Sequence, residues 1–165
     1  MADSAIRWFV HSSGGADARP SDGSLSTVAP TMEPVDSFNC GTTAEAIGEG
    51  GHGLRYSSPV FLAPLAVNGP VAFELHAASS SAVEFTVMIV DHGPDRRDNF
   101  VGSAMGGADG SDSPITLDLG AIDYTFGIGH RVRVDVGATS HEGLAAIQVF
   151  HDAVRPTCLV LTVAD

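Results

Sequence analysis

Serine, histidine and aspartate are all abundant in this chain, and together they suggest hydrolytic chemistry. Their spacing does not support it. A nucleophilic serine of the α/β type sits on a sharp strand-to-helix turn written Gly-x-Ser-x-Gly, and that pattern occurs nowhere in the 165 residues. His11-Ser12-Ser13 reads as a polar strand end, because no elbow or ordered partner accompanies it. The histidines at 11, 52, 76, 92, 130, 141 and 151 form no pair at the short spacings of a zinc site. Hard cations suit the carboxylates better. Asp91, Asp95 and Asp98 fall within eight residues, and Asp109 and Asp112 share another turn. Loop carboxylates of this kind are calcium ligands, and these are the calcium candidates, although their spacing fits no defined loop and solvated turn acids remain the default. Gly50-Gly51 and Gly106-Gly107 lead into no helix and have acidic neighbours, so neither reads as a phosphate cradle. A sugar platform needs exposed amphipathic aromatics. Trp8 falls in a strand candidate and is expected in the core, leaving Tyr56 and Tyr124 near strand ends.

The elements that would position these residues have a period of two. Val71, Phe73, Leu75 and Ala77 alternate with polar or small residues, as do Val83, Phe85, Val87 and Ile89. Ile115, Leu117 and Leu119 follow the same rule, and so do Val132, Val134 and Val136. Each run has one buried and one wet face, which is how antiparallel strands read. Further strand candidates are residues 7–11, 54–57, 100–104, 146–151 and 158–163. Asn68-Gly69-Pro70, Gly93-Pro94-Asp95, the stretch from Gly106 to Pro114 and Gly127-Ile128-Gly129 are joints by composition. One short helix fits after Thr42, where Thr42 and Glu45 have capping-box spacing. The expected fold is all-β, a two-sheet antiparallel sandwich of jelly-roll type. Ser12 to Gly53 is expected to be a long excursion with little regular structure.

Length and composition fit one domain, residues 1–165. Acids outnumber bases 20 to 8, all eight bases are Arg, and the formal charge is −12. The charge is spread along the chain: 3 Arg and 8 acids give −5 over residues 1–82, and 5 Arg and 12 acids give −7 over residues 83–165. Such a surface repels phosphate, which argues against nucleic acid and anionic membranes as partners. No apolar run approaches the ~18–20 residues of a membrane span, and no basic stretch followed by an apolar one opens the chain, so a cytoplasmic address is favoured. Cys40 and Cys158 are expected as two buried free thiols.

Several stretches read together carry a family signal. Trp8-Phe9-Val10-His11-Ser12-Ser13-Gly14-Gly15 is followed by Asp22-Gly23-Ser24-Leu25-Ser26-Thr27, Pro30 and Glu33-Pro34-Val35-Asp36-Ser37-Phe38. Tyr56-Ser57-Ser58-Pro59-Val60 runs on to Gly69-Pro70-Val71. Phe85 to Asp91 precedes Gly93-Pro94-Asp95 and Arg96; Gly129-His130-Arg131-Val132-Arg133 comes later, and His151-Asp152 with Pro156, Leu159, Leu161 and Val163 closes the series. In this order they resemble the C-terminal, non-catalytic domain of X-Pro dipeptidyl-peptidases and cocaine-esterase-like serine hydrolases. The resemblance covers residues 8–163. Two segments depart from the family pattern: Gly137 to Gly143 is short, and Gly102-Ser103-Ala104-Met105-Gly106-Gly107 stands where the family has an Arg-containing segment.

The resemblance implies a galactose-binding-like jelly roll whose parent enzymes keep their catalytic Ser, Asp and His in a separate α/β-hydrolase domain. Nothing in this chain corresponds to those three residues. The chain is therefore expected to have no catalytic or cofactor-binding residues of its own. It would work by packing against a hydrolase domain in cis or in trans, or by self-association. Arg131 and Arg133, on one strand face opposite Val132 and Val134, are the candidates for a partner-facing pair, the alternative being a solvated or acid-paired face. The rival expectation is a jelly-roll module that binds a carbohydrate or other small ligand.

Overall fold

The computed structural model describes residues 4–12, 23–43, 53–110 and 113–164. Eleven strands are present among them: β1 (Ser4–His11), β2 (Gly23–Ser26), β3 (Asp36–Cys40), β4 (Leu54–Ser57), β5 (Leu65–Ser79), β6 (Val83–His92), β7 (Asp98–Ala108), β8 (Ser113–Phe126), β9 (Arg131–Ser140), β10 (Ala145–Val149) and β11 (Cys158–Val163). No helix occurs among the described residues.

One hydrogen-bonded path runs β3-β10-β5-β11-β1-β2-β4-β9-β6-β7, and β8 pairs with the remaining edge of β5. The path narrows at β2, which pairs with β1 over residues 24–26 and with β4 only at Gly23 and Ser24. On one side lie β8, β5, β11 and β1; on the other lie β4, β9, β6 and β7. The alternation buries one face of each half, and the two faces meet in a single core. Val71, Phe73 and Leu75 of β5 and Leu159 and Leu161 of β11 come from one half. Leu54 of β4, Val83 to Ile89 of β6 and Val132 to Val136 of β9 come from the other. Each fully buried Phe or Leu contributes about 1.5–3 kcal/mol relative to exposure. The result is the expected all-β sandwich.

Four local expectations are corrected. First, β5 runs through Asn68-Gly69-Pro70. Proline is tolerated there because β11 slips register opposite it, and Thr162 Oγ1 donates to the Pro70 carbonyl at 2.9 Å. Second, Gly106 and Gly107 lie inside β7, and a Cβ on Gly106 would stand 2.5 Å from Leu117 Cδ2 of the opposing β8. Glycine is there for close packing between layers and does not mark a turn. Third, the excursion contains two strands. β3 pairs along all of β10, and Leu25 and Phe38 reach the core. Fourth, β2 and β4 are parallel in an otherwise antiparallel framework. The capping-box helix proposed after Thr42 would fall on residues 44–50, outside the described residues, as do Ser13 to Asp22 and Asp112.

Candidate functional site

Asp91 occupies the last inward position of β6, after Val83, Phe85, Val87 and Ile89. It is buried, and an isolated buried carboxylate is costly unless it is hydrogen-bonded. Here Tyr124 Oη donates to Oδ2 at 2.8 Å and His130 Nδ1 to Oδ1 at 2.7 Å. Burial, and then the bond to Asp91, pushes the Tyr124 phenol up to about 12. Asp91 thus orients the His130 imidazole. The group fixes structure at one end of the sandwich.

Three loops meet over it. Phe61 donates its amide to the His130 carbonyl and Gly129 donates to the Phe61 carbonyl, both at 2.9 Å, which ties residues 58–64 to residues 127–130. Arg131 Nη1 adds a bond to the Ser58 carbonyl at 3.0 Å. The Phe61 ring packs against Trp8 and Phe126, with centroids 5.7 and 6.0 Å apart. On this anchored backbone Leu62 is 91% exposed, Ile128 64% and Val60 40%. The third loop, residues 93–97, approaches through Pro94, which lies beside Gly129. Its Arg96 has φ 63°, a left-handed conformation that non-glycine residues seldom adopt. The 93–97 loop carries Arg96 and Arg97 against Asp95, and Arg131 follows the third loop, above the buried Asp91, in a chain of net −12.

The opposite end is built differently. Asp36 of β3 accepts from Ser12 Oγ at 2.5 Å, Tyr56 Oη at 3.0 Å and His151 Nε2 at 2.8 Å. Asp36, Tyr56 and His151 are all buried, and His151 Nδ1 has no hydrogen-bond partner among the described residues. Burial and Asp36 hold the Tyr56 phenol well above its ordinary value. Glu33 bonds His11 and the Ser12 amide. This network clamps β3 and the start of the excursion to the sandwich. The resemblance had singled out Ser12 and His151. Their connection through Asp36 was not foreseen, because 115 residues separate Asp36 from His151.

The sequence candidates are dispersed. Asp91 points into the sandwich. Asp95 accepts the Arg97 amide, and Asp98 bonds His92 at 2.6 Å and Arg133 at 2.8 Å on the outer face. Among the described residues no three His, Cys, Asp or Glu side chains converge as a metal set. Arg133 is nearly enclosed, its side chain 11% exposed, and grips Asp135 through Nε and Nη2 at 3.0 and 3.1 Å. Burial raises Asp135 above the usual carboxylate range despite Arg133 and Arg55. Arg133 is thus engaged by acids of its own sheet, while Arg131 braces the 58–64 loop. Cys40 and Cys158 are buried and unpaired. The three amphipathic aromatics supply no open platform: Trp8 and Tyr56 are buried, and Tyr124 is half-buried on Asp91.

The sequence pattern described as the X-Pro dipeptidyl-peptidase C-terminal non-catalytic domain matches residues 3–148. No curated protein matches the chain. Among solved structures, an aminopeptidase from a marine sediment Thaumarchaeota archaeon superposes with TM-score 0.81 at 14% identity, over 99% of this chain and 37% of that one. An α-amino acid ester hydrolase gives TM-score 0.81 at 13% identity, over 97% and 36%. A CocE/NonD family hydrolase from Staphylococcus aureus gives 0.73 at 9%, over 99% and 37%. These likenesses show a shared fold, and the chain spans little more than a third of the length of those hydrolases.

Proposed function

Because the chain belongs to the X-Pro dipeptidyl-peptidase C-terminal non-catalytic domain family, we propose that it works by packing against an α/β-hydrolase domain outside its own residues. The docking surface in this reading is the end formed by residues 58–64, 93–97 and 127–131. The observation that carries it is the exposure of Leu62 and Ile128 on a backbone already held by cross-loop hydrogen bonds. Apolar side chains fixed before contact lose little freedom on binding. The Arg-rich rim meets the requirement that a partner approach a −12 chain without repulsion. The opposite end also exposes Met32 and Val154, beside Glu33, which bonds His11, and Asp152, which is paired with Arg155.

In this reading the chain does no chemistry itself. His130 is bonded to Asp91 and His151 lies buried on Asp36, and among the described residues neither ring has a hydrogen bond to a serine or cysteine side chain. A fluorophosphonate probe should leave the pure chain unlabelled, and a stoichiometric serine adduct would overturn that part of the reading. Docking is tested by calorimetric titration with an α/β-hydrolase domain encoded in the same reading frame or operon. Leu62→Glu and Ile128→Glu should each weaken binding about tenfold or more, about 1.4 kcal/mol, with unchanged thermal unfolding. Met32→Glu should leave it intact. No binding by the unmodified chain, or an equal loss from Met32→Glu, would refute the assignment.

A further inference from the structure

A sheet edge that carries no neighbour exposes a row of unpaired backbone donors and acceptors, and proteins ordinarily protect such edges with charge, proline or bulges. The described part of this sandwich has two long edges on one side, β7 and β8, and they are treated unequally. β8 carries Pro114, Asp118 and Asp123, and its pairing with β5 slips at Gly120. Among the described residues β7 pairs only with β6, and from Asn99 to Ala108 it contains no charged residue at all. Its one irregularity is at its start, where Phe100 and Gly102 oppose consecutive residues of β6 and Val101 is the extra residue. Beyond it, Gly102 to Ala108 forms a regular run opposite Val83 to Ile89. Ser103 and Met105 turn outward from that run, and Met105 is 62% exposed. Gly102 and Gly106 face Ile122 and Leu117 of β8, so the inner face of the strand is already filled.

We propose that the free edge of β7 pairs antiparallel with β7 of a second copy of this chain, about a twofold axis at Met105. In that register Met105 opposes itself, Ala104 opposes Gly106, Ser103 opposes Gly107 and Gly102 opposes Ala108. Every pair then has matching orientation, as antiparallel strands require. The charge distribution selects this occupant. Two chains of −12 repel each other least where neither carries charge, and Asn99–Ala108 is such a segment in a chain with 20 acids. The contact is isologous, so it closes at two copies. It uses a different surface from the 58–64, 93–97 and 127–131 loops and is independent of hydrolase docking.

Sedimentation equilibrium of the 165-residue chain should show a reversible monomer–dimer exchange. The double variant Ser103→Lys with Met105→Lys should weaken association at least tenfold while leaving circular dichroism and thermal unfolding of the monomer unchanged. Hydrogen exchange at residues 102–108 should slow as concentration rises. In a glutathione redox buffer Met105→Cys should give a disulfide-linked dimer far more readily than Ser103→Cys, because only position 105 meets its own copy. A chain that stays monomeric throughout would overturn the proposal. So would a dimer indifferent to the lysines, a dimer abolished by Leu62→Glu, or equal cross-linking at 103 and 105.

Discussion

Asp91 and Asp36 are carboxylates placed where strand alternation puts apolar side chains, and each is satisfied by donors from distant segments. Removing either one leaves its donors unpaired, and the size of the loss depends on whether water can replace the partner. His130 is 28% exposed at its side chain, so Asp91→Ala should cost about 2 kcal/mol. His151 and Tyr56 are enclosed, so Asp36→Ala should cost about 4 kcal/mol. Urea unfolding of the two variants measures both, and equal losses would contradict the ranking. Alkaline pH probes the same groups. Burial and Asp91 push Tyr124 up to about 12, burial and Glu74 push Cys158 up to about 11, and burial and Asp36 raise Tyr56. Each folded value lies above the unfolded one, so this stability is present below the ordinary thiol and phenol values, about 8.5 and 10, and is lost as pH rises through the folded values. The urea midpoint should therefore fall between about pH 8.5 and about pH 12, and Tyr124→Phe should flatten the part of the fall above about pH 10. At this scale the sequence was only partly legible. Asp91, Asp95 and Asp98 looked like one cluster because they are close in the chain, but strand alternation sends Asp91 inward while Asp98 turns outward to His92 and Arg133.

Strands with strict alternation were readable because burial on one face dictates their composition. β6 and β9 contain the predicted runs, and β4 and β11 match them residue for residue. The misreadings involve glycine and proline, whose local meaning depends on the opposing layer. Gly106 looked like a loop residue, yet it lies in β7 where Leu117 leaves no room for a Cβ. Gly106→Ala should therefore destabilise the fold by about 1–3 kcal/mol through overpacking. The cost should shrink in a Leu117→Val background, which a double-mutant cycle would detect as coupling. Additive losses would mean that the two layers do not press on each other there. β2 and β3 were illegible for another reason. Their residues, Gly23-Ser24-Leu25-Ser26 and Asp36-Ser37-Phe38-Asn39-Cys40, are mostly small or polar, and partners on other segments, for β3 the distant β10, fix them in place.

At the scale of the whole molecule, length and charge were informative from the outset. The 165 residues and net charge of −12 led to the expectation of one domain, shorter than an α/β hydrolase and with a surface that repels phosphate. The fold accounts for the length as a sandwich that superposes on about a third of each hydrolase it resembles. The proposed docking end was not legible, because its apolar residues come from separate loops that only the folded chain brings together. Hydrogen–deuterium exchange of this chain, with and without an added α/β-hydrolase domain of the kind proposed as its partner, tests the central claim most directly. Added hydrolase domain should slow exchange in residues 58–64, 93–97 and 127–131 and leave the residues around Met32 and Val154 unchanged. Protection confined to the Met32 and Val154 end, or none anywhere at saturating hydrolase domain, would contradict the account.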